Sequence, residues 1–162
     1  MNLLHNNNMK KTIFLTSIIL LSGCVSIPVI EPKEVTLISK FNVVEAKRLL
    51  QQGSNTIKGS ALMRQQGGGV VTCAGGEVKL IPSTKYTDER IQHIYEQDNY
   101  YNGKQGFKFT PSPNEYKELT KKTTCDAQGY FAFDNLANGE FFVITTIQWK
   151  AGYYTQGGSL MM

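Results

Sequence analysis

Apolar positions along the chain fall into distinct textures. Thr12 to Leu21 is a nearly unbroken apolar run behind Lys10 and Lys11. That is the length of a secretory core segment and too short to span a bilayer as a helix. Val25 to Glu34 holds Pro28 and Pro32 and has no period, so residues 24–39 are expected to form a tether. From Lys40 to Gln52, Phe41, Val44, Leu49 and Leu50 recur among charges, and Gly53 follows as a candidate C-cap. This predicts a short helix over residues 40–53.

After Gly53 the period shortens towards two. Thr56 to Leu62 places Ile57, Gly59 and Ala61 on one side. Val70 to Cys73 and Glu77 to Ile81 are short apolar runs, and Gly67-Gly68-Gly69 marks a turn before them. Tyr130 to Phe133 puts Phe131 and Phe133 on one face. Glu140 to Trp149 is the clearest strand, aligning Phe141, Val143, Thr145, Ile147 and Trp149. Short strands punctuated by turns predict a mainly β sandwich over residues 54–162. Residues 83–120 interrupt it as a partly helical insertion. Within them Ile91, Ile94 and Tyr95 have helical spacing over Asp88 to Gln97, with Asp88 or Thr87 as the cap. Thr110-Pro111-Ser112-Pro113 reads as loop.

Composition sharpens this only slightly. A chain that is 41% hydrophobic and 19% charged is globular rather than disordered. The net charge of +4 loses Lys10 and Lys11 with any cleaved leader. The remainder is too weak for a nucleic-acid footprint, so no nucleic-acid partner is expected.

Leu21-Ser22-Gly23-Cys24 closes the apolar run and resembles the bacterial lipobox. The resemblance implies a lipoprotein signal peptide over residues 1–23. Cys24 would carry diacylglycerol on sulfur and an acyl chain on its freed amine, with no other cofactor. Acylation by several chains would anchor the protein stably to a membrane. Met1 to Asn8 is polar and makes an odd n-region, which points to Met9 as the start. Val25, rather than an aspartate, follows Cys24, which favours the outer membrane in a Gram-negative envelope. Which side of that membrane it faces stays open.

The stretch Asp126-Ala127-Gln128-Gly129-Tyr130-Phe131-Ala132-Phe133-Asp134-Asn135-Leu136, continuing through Gly139 to Val143, resembles carboxypeptidase regulatory-like domains. That resemblance implies a transthyretin-like (prealbumin-like) β-sandwich with a short N-terminal helix ahead of it. Ile57 to Ala61 and Val78 to Pro82 are similar to other strands of such domains. Family members continue with another strand after the position of Gly157. Here Ser159 to Met162 is expected to be a stub of it, or the last strand to be truncated.

Cys73 and Cys125 form an even pair in what would be an oxidising compartment, and a disulfide between them is expected. A metal pair or a catalytic thiol is the alternative, but His93 is the single histidine after the leader. No Gly-x-Ser-x-Gly elbow or P-loop occurs, and Asp88 and Glu89 are adjacent rather than on one helix face. The chain is therefore expected not to be an enzyme. Tyr95, Tyr100, Tyr101, Phe107 and Phe109 cluster in the insertion. They could contact a glycan or protein partner, or they could bury the insertion against the sandwich. The leading expectation is a non-enzymatic, membrane-anchored envelope lipoprotein that binds or scaffolds an envelope component. A carbohydrate-binding module and an assembly lipoprotein of a secretion system are the alternatives.

Overall fold

The computed structural model describes residues 30–162. The expected leader, the Met9 start and the lipobox at Leu21, Ser22, Gly23 and Cys24 lie outside them. The described chain runs β1 (Lys33–Thr36), α1 (Val43–Leu49), β2 (Gln52–Ser60), β3 (Leu62–Arg64), β4 (Val70–Thr72) and β5 (Glu77–Pro82). It continues through α2 (Lys85–Tyr95), β6 (Tyr100–Tyr101), β7 (Phe107–Thr110), α3 (Asn114–Glu118), β8 (Lys121–Thr124), β9 (Tyr130–Leu136), β10 (Phe141–Ala151) and β11 (Tyr154–Met161).

The chain is mainly β. One layer is a five-stranded antiparallel sheet in the order β6-β11-β10-β5-β8. The β2–β9 pair packs against it, with the β3–β4 hairpin alongside. Period-two alternation sends Val78 and Leu80 of β5, Val143 and Ile147 of β10, and Phe131 and Phe133 of β9 into one buried core, which Leu136 joins after Asn135, at φ 57°, breaks the alternation. Each such side chain contributes roughly 1.5–3 kcal/mol by leaving water. Thr145 shares that face of β10 and is buried, and its hydroxyl donates to the Glu77 carbonyl at 2.9 Å. The turn into β9 is built as its sequence suggests. The Asp126 carboxylate accepts from the backbone N–H groups of Gln128 and Tyr130, and Gly129 takes φ 88°. Cys73 and Cys125 are bonded, with Cα atoms 5.8 Å apart.

A second, smaller core lies under the insertion. Val35, Leu37, Tyr86 and Phe109 are buried in it, flanked by Phe41, Ile94, Phe107 and Tyr116. Its frame is a parallel pair: β1 runs beside β7, with Val35 opposite Phe109.

Several expectations change. The 24–39 tether gives way within its last residues to β1, because Val35 and Leu37 find buried places against the insertion. The helix expected over 40–53 covers only Val43–Leu49, with Asn42 as its N-cap, accepting from the Glu45 N–H at 3.1 Å, and Leu50 at its C-cap. Gly53 is not a cap. It lies in β2, where a Cβ would sit 2.2 Å from the Leu136 carbonyl oxygen, so strand approach demands glycine there. The cap of α2 is Thr84, not Thr87 or Asp88: its Oγ1 accepts from the Thr87 N–H. The last strand is no stub. β11 begins at Tyr154 and pairs with β10 from Tyr154 opposite Ala151 to Met161 opposite Ile144. Among the described residues no helix is long and apolar enough to cross a membrane.

Candidate functional site

The insertion is held to the sheet by α2. Thr87, Ile91 and Tyr95 follow one another at i, i+4 spacing and form its buried stripe. At its end the Tyr95 hydroxyl hydrogen-bonds Ser159 of β11, whose own Oγ reaches the Thr145 carbonyl. Burial pushes the Tyr95 phenol above its ordinary pKa, opposed by the Ser159 hydrogen bond. The chain then turns through Glu96, whose backbone takes φ 54°, and enters β6. A non-glycine residue at positive φ costs on the order of 1 kcal/mol, a cost the surrounding packing has to hold.

β6 adds to the edge of β11, with Tyr100 opposite Leu160 and Tyr101 opposite Ser159. Beside that pairing lies Gly158. A Cβ there would sit 2.2 Å from the Tyr100 ring and 2.6 Å from the Tyr101 carbonyl oxygen. The Tyr100 ring therefore rests on bare backbone, and its hydroxyl donates to the Gly157 carbonyl at 3.2 Å. The ring is nevertheless 42% exposed. It is a fixed aromatic surface with an open side.

From there the aromatics form a continuous wall. Tyr95 meets Tyr101 edge-on at 6.3 Å, Tyr101 meets Phe107 at 5.7 Å, and Phe107 stacks on Phe109 at 5.7 Å. The wall encloses a concavity of about 300 Å³. Of the aromatics singled out from sequence, Tyr95, Tyr100, Tyr101 and Phe107 line it, whereas Phe109 is buried behind them and does not. The four differ in access. Tyr95 is buried, 4% exposed, and serves the insertion's own packing rather than offering a free ring face. Tyr101 and Phe107 are half-buried, and Tyr100 alone of the four is exposed.

The polar lining is what the sequence reading missed. Glu96, Asp98, Asn102 and Gln105 border the same concavity, with Lys33 on the rim. Neither Glu96 nor Asp98 forms an ion pair among the described residues. The loop holds its shape by side chains that accept from its backbone: the Asn102 Oδ1 accepts from the Lys104 N–H, and the Tyr101 hydroxyl accepts from the Gln105 N–H. Asparagine and glycine among the Asn99–Lys108 aromatics were a visible signal of a polar loop. Glu96 and Asp98 precede Tyr100 by four and two residues, a nearness that the sequence reading did not weigh.

His93 lies against Phe109 at 6.3 Å and is not part of this concavity. Among the described residues no group of three or more His, Cys, Asp and Glu side chains is arranged to hold a metal. The arrangement on view has an aromatic plane, two carboxylates and two amides around one small cavity. Such a set can stack on an apolar ring face while accepting from and donating to hydroxyls.

No family model and no curated protein sequence matches the chain. Among solved structures it is similar to a proposed carbohydrate-binding protein from Pseudomonas aeruginosa. The two superpose with a TM-score of 0.61 at 21% identity, over 76% of this chain and 88% of the other. At that identity the likeness is one of fold.

Proposed function

We propose that the chain is a carbohydrate-binding module and that the Tyr100 concavity is its sugar site. One observation carries this: a single exposed tyrosine, braced on Gly158 and Gly157, shares a small cavity with Glu96, Asp98, Asn102 and Gln105. A pyranose offers an apolar C–H face for the ring and hydroxyls for the acids and amides. Bracing lowers the ordering cost of binding, since the ring is already in place. The carbohydrate binding proposed for the Pseudomonas aeruginosa protein of similar fold supports the same reading.

The Asp126–Val143 pattern further suggests that the sandwich is of the transthyretin-like type. The Leu21–Cys24 tetrapeptide suggests that the module works at an envelope membrane, anchored through lipid on Cys24. Mass spectrometry of the processed protein tests the anchor: an N-terminal Cys24 bearing diacylglycerol on sulfur and an acyl chain on its amine is expected, and an unmodified one overturns it.

The sugar site is tested by screening the exported portion on a glycan array and measuring the best ligand by calorimetry. Tyr100→Ala should weaken binding at least tenfold, about 1.4 kcal/mol. Tyr130→Ala, which removes a still more exposed ring that does not line the concavity, should leave it unchanged. Equal losses in both variants, or no glycan bound at all, would overturn the proposal.

A further inference from the structure

A second cleft lies on the other side of the Tyr95–Tyr101 wall. It has a volume of about 460 Å³ and sits between the outer face of the five-stranded sheet and the helices α2 and α3. Ile81 and Ile144 form its floor, and Ile91 and Ile94 its wall. Its charged lining is of one sign: Lys79, Arg90, Lys117 and Lys122, with no aspartate or glutamate.

That charge is only partly balanced locally. Lys79 of β5 and Lys122 of β8 stand directly opposite in the strand register. Like charges in that position repel and destabilise a sheet. Glu77 is the one carboxylate that reaches them, 2.9 Å from Lys122 and 3.6 Å from Lys79. Lys117 and Arg90 have no carboxylate partner among the described residues. The Arg90 guanidinium sits over the rings of Phe109, at 4.1 Å, and Tyr116, at 4.5 Å. Its Nη1 donates to the Tyr86 hydroxyl at 3.1 Å, whereas its Nε is buried without a hydrogen-bond partner. A sheet face of isoleucines roofed by helices and ringed by surplus cations is a poor design for stability alone.

We infer that this cleft binds a small amphipathic carboxylate: a compact apolar body seated on Ile81 and Ile144, with its carboxylate between Lys117 and the Lys79–Lys122 pair. The anion would relieve the repulsion between those lysines, and the apolar body would gain by leaving water. This site is separate from the proposed sugar site, so either can fail without the other.

The test uses the full exported portion, isotopically labelled, titrated with cyclohexanecarboxylate, with cyclohexylmethanol and with inorganic phosphate, and followed by amide resonances. The carboxylate should shift Ile91, Ile94, Ile144 and Ser159 saturably. The alcohol, lacking the charge, and phosphate, lacking the apolar body, should each bind at least tenfold more weakly. Lys117→Gln, on the exposed side of α3, should weaken the carboxylate several-fold, and added salt should do the same in the unaltered protein. Tyr100→Ala should leave it unchanged. Alcohol or phosphate binding as tightly as the carboxylate, an affinity indifferent to both Lys117→Gln and salt, or no shifts at those amides would each overturn the inference.

Discussion

Ser39 donates its backbone N–H to the Glu89 carboxylate at 2.8 Å, and Ile38 donates to the other carboxylate oxygen at the same distance. A side chain on α2 thus satisfies two backbone donors of the segment that leaves β1. The hydrogen bond from Ile38, then that from Ser39, holds the Glu89 carboxyl below its ordinary pKa. The sign of the linkage follows. A depressed folded-state pKa stabilises the protein above the unfolded-state pKa, and the benefit disappears as pH falls through the folded value. Glu89→Gln should lower the urea midpoint at neutral pH, and the gap to the unaltered protein should close in strong acid. Midpoints measured across that range check it; a gap independent of pH would show that the carboxylate charge is immaterial to the contact.

The contact also marks where sequence reading stops. The sandwich strands were legible because burial on one face imposes period two, as from Phe141 to Trp149. The Asp126–Gly129 turn was legible because its side-chain acceptor and its positive φ each demand a residue type. The Cys73–Cys125 bond followed from compartment and count. β1 was not legible. Val35 and Leu37 are too few to show a period, and their partner, Phe109, is reached by a parallel pairing that leaves no local signature. The helix at residues 40–53 was overextended because glycine after an apolar residue is an ambiguous mark. Gly53 serves a close strand approach rather than a helix end. For the site, the aromatics announced themselves by type. The acids Glu96 and Asp98 did not, because, although they are chain neighbours of Tyr100, their sharing one cavity with it and with Asn102 and Gln105 depends on how the insertion folds back onto β11.

That fold-back hinges on Gly158. Alanine there would place a methyl inside the Tyr100 ring and against the Tyr101 carbonyl, so β6 has to leave the sheet edge or tilt away. Overpacking of this kind costs about 1–3 kcal/mol where the neighbours cannot yield. Tyr100 can partly yield, being exposed, whereas the backbone of Tyr101 is paired to Ser159. Gly158→Ala should therefore speed hydrogen exchange at the amides of Tyr100 and Tyr101 while leaving β5 and β9 protected. If the sugar site is where we place it, glycan affinity should fall together with that protection. Preserved protection in β6 would mean that the Tyr100 ring moves aside without cost.

The Cys73–Cys125 bond closes a loop spanning 52 positions that contains the whole insertion. Loop-closure entropy for that span stabilises the fold by roughly 4 kcal/mol, because the unfolded chain is the state most constrained. Both sulfurs are buried beside the end of the β5–β8 pair where Glu77 faces Thr124, whereas the insertion leaves after Pro82 and returns at Lys121, so the bond ties that strand pair at the end away from the insertion. Replacing both cysteines by serine removes the loop constraint and buries two hydroxyls in an apolar core, and the loss should be at least about 4 kcal/mol. Replacing both by alanine avoids the hydroxyls, so the difference between the two double variants isolates the polar cost. In the alanine variant, limited proteolysis should cut first within residues 83–120, the longest stretch between the paired strands β5 and β8, which meets the sheet through the buried stripe of α2, the short β6 pairing and the hydrogen bonds Tyr95–Ser159, Tyr100–Gly157 and Met161–Asn99. Cleavage beginning instead in β2 or β9 would locate the weak point in the sandwich and remove the insertion's dependence on the bond.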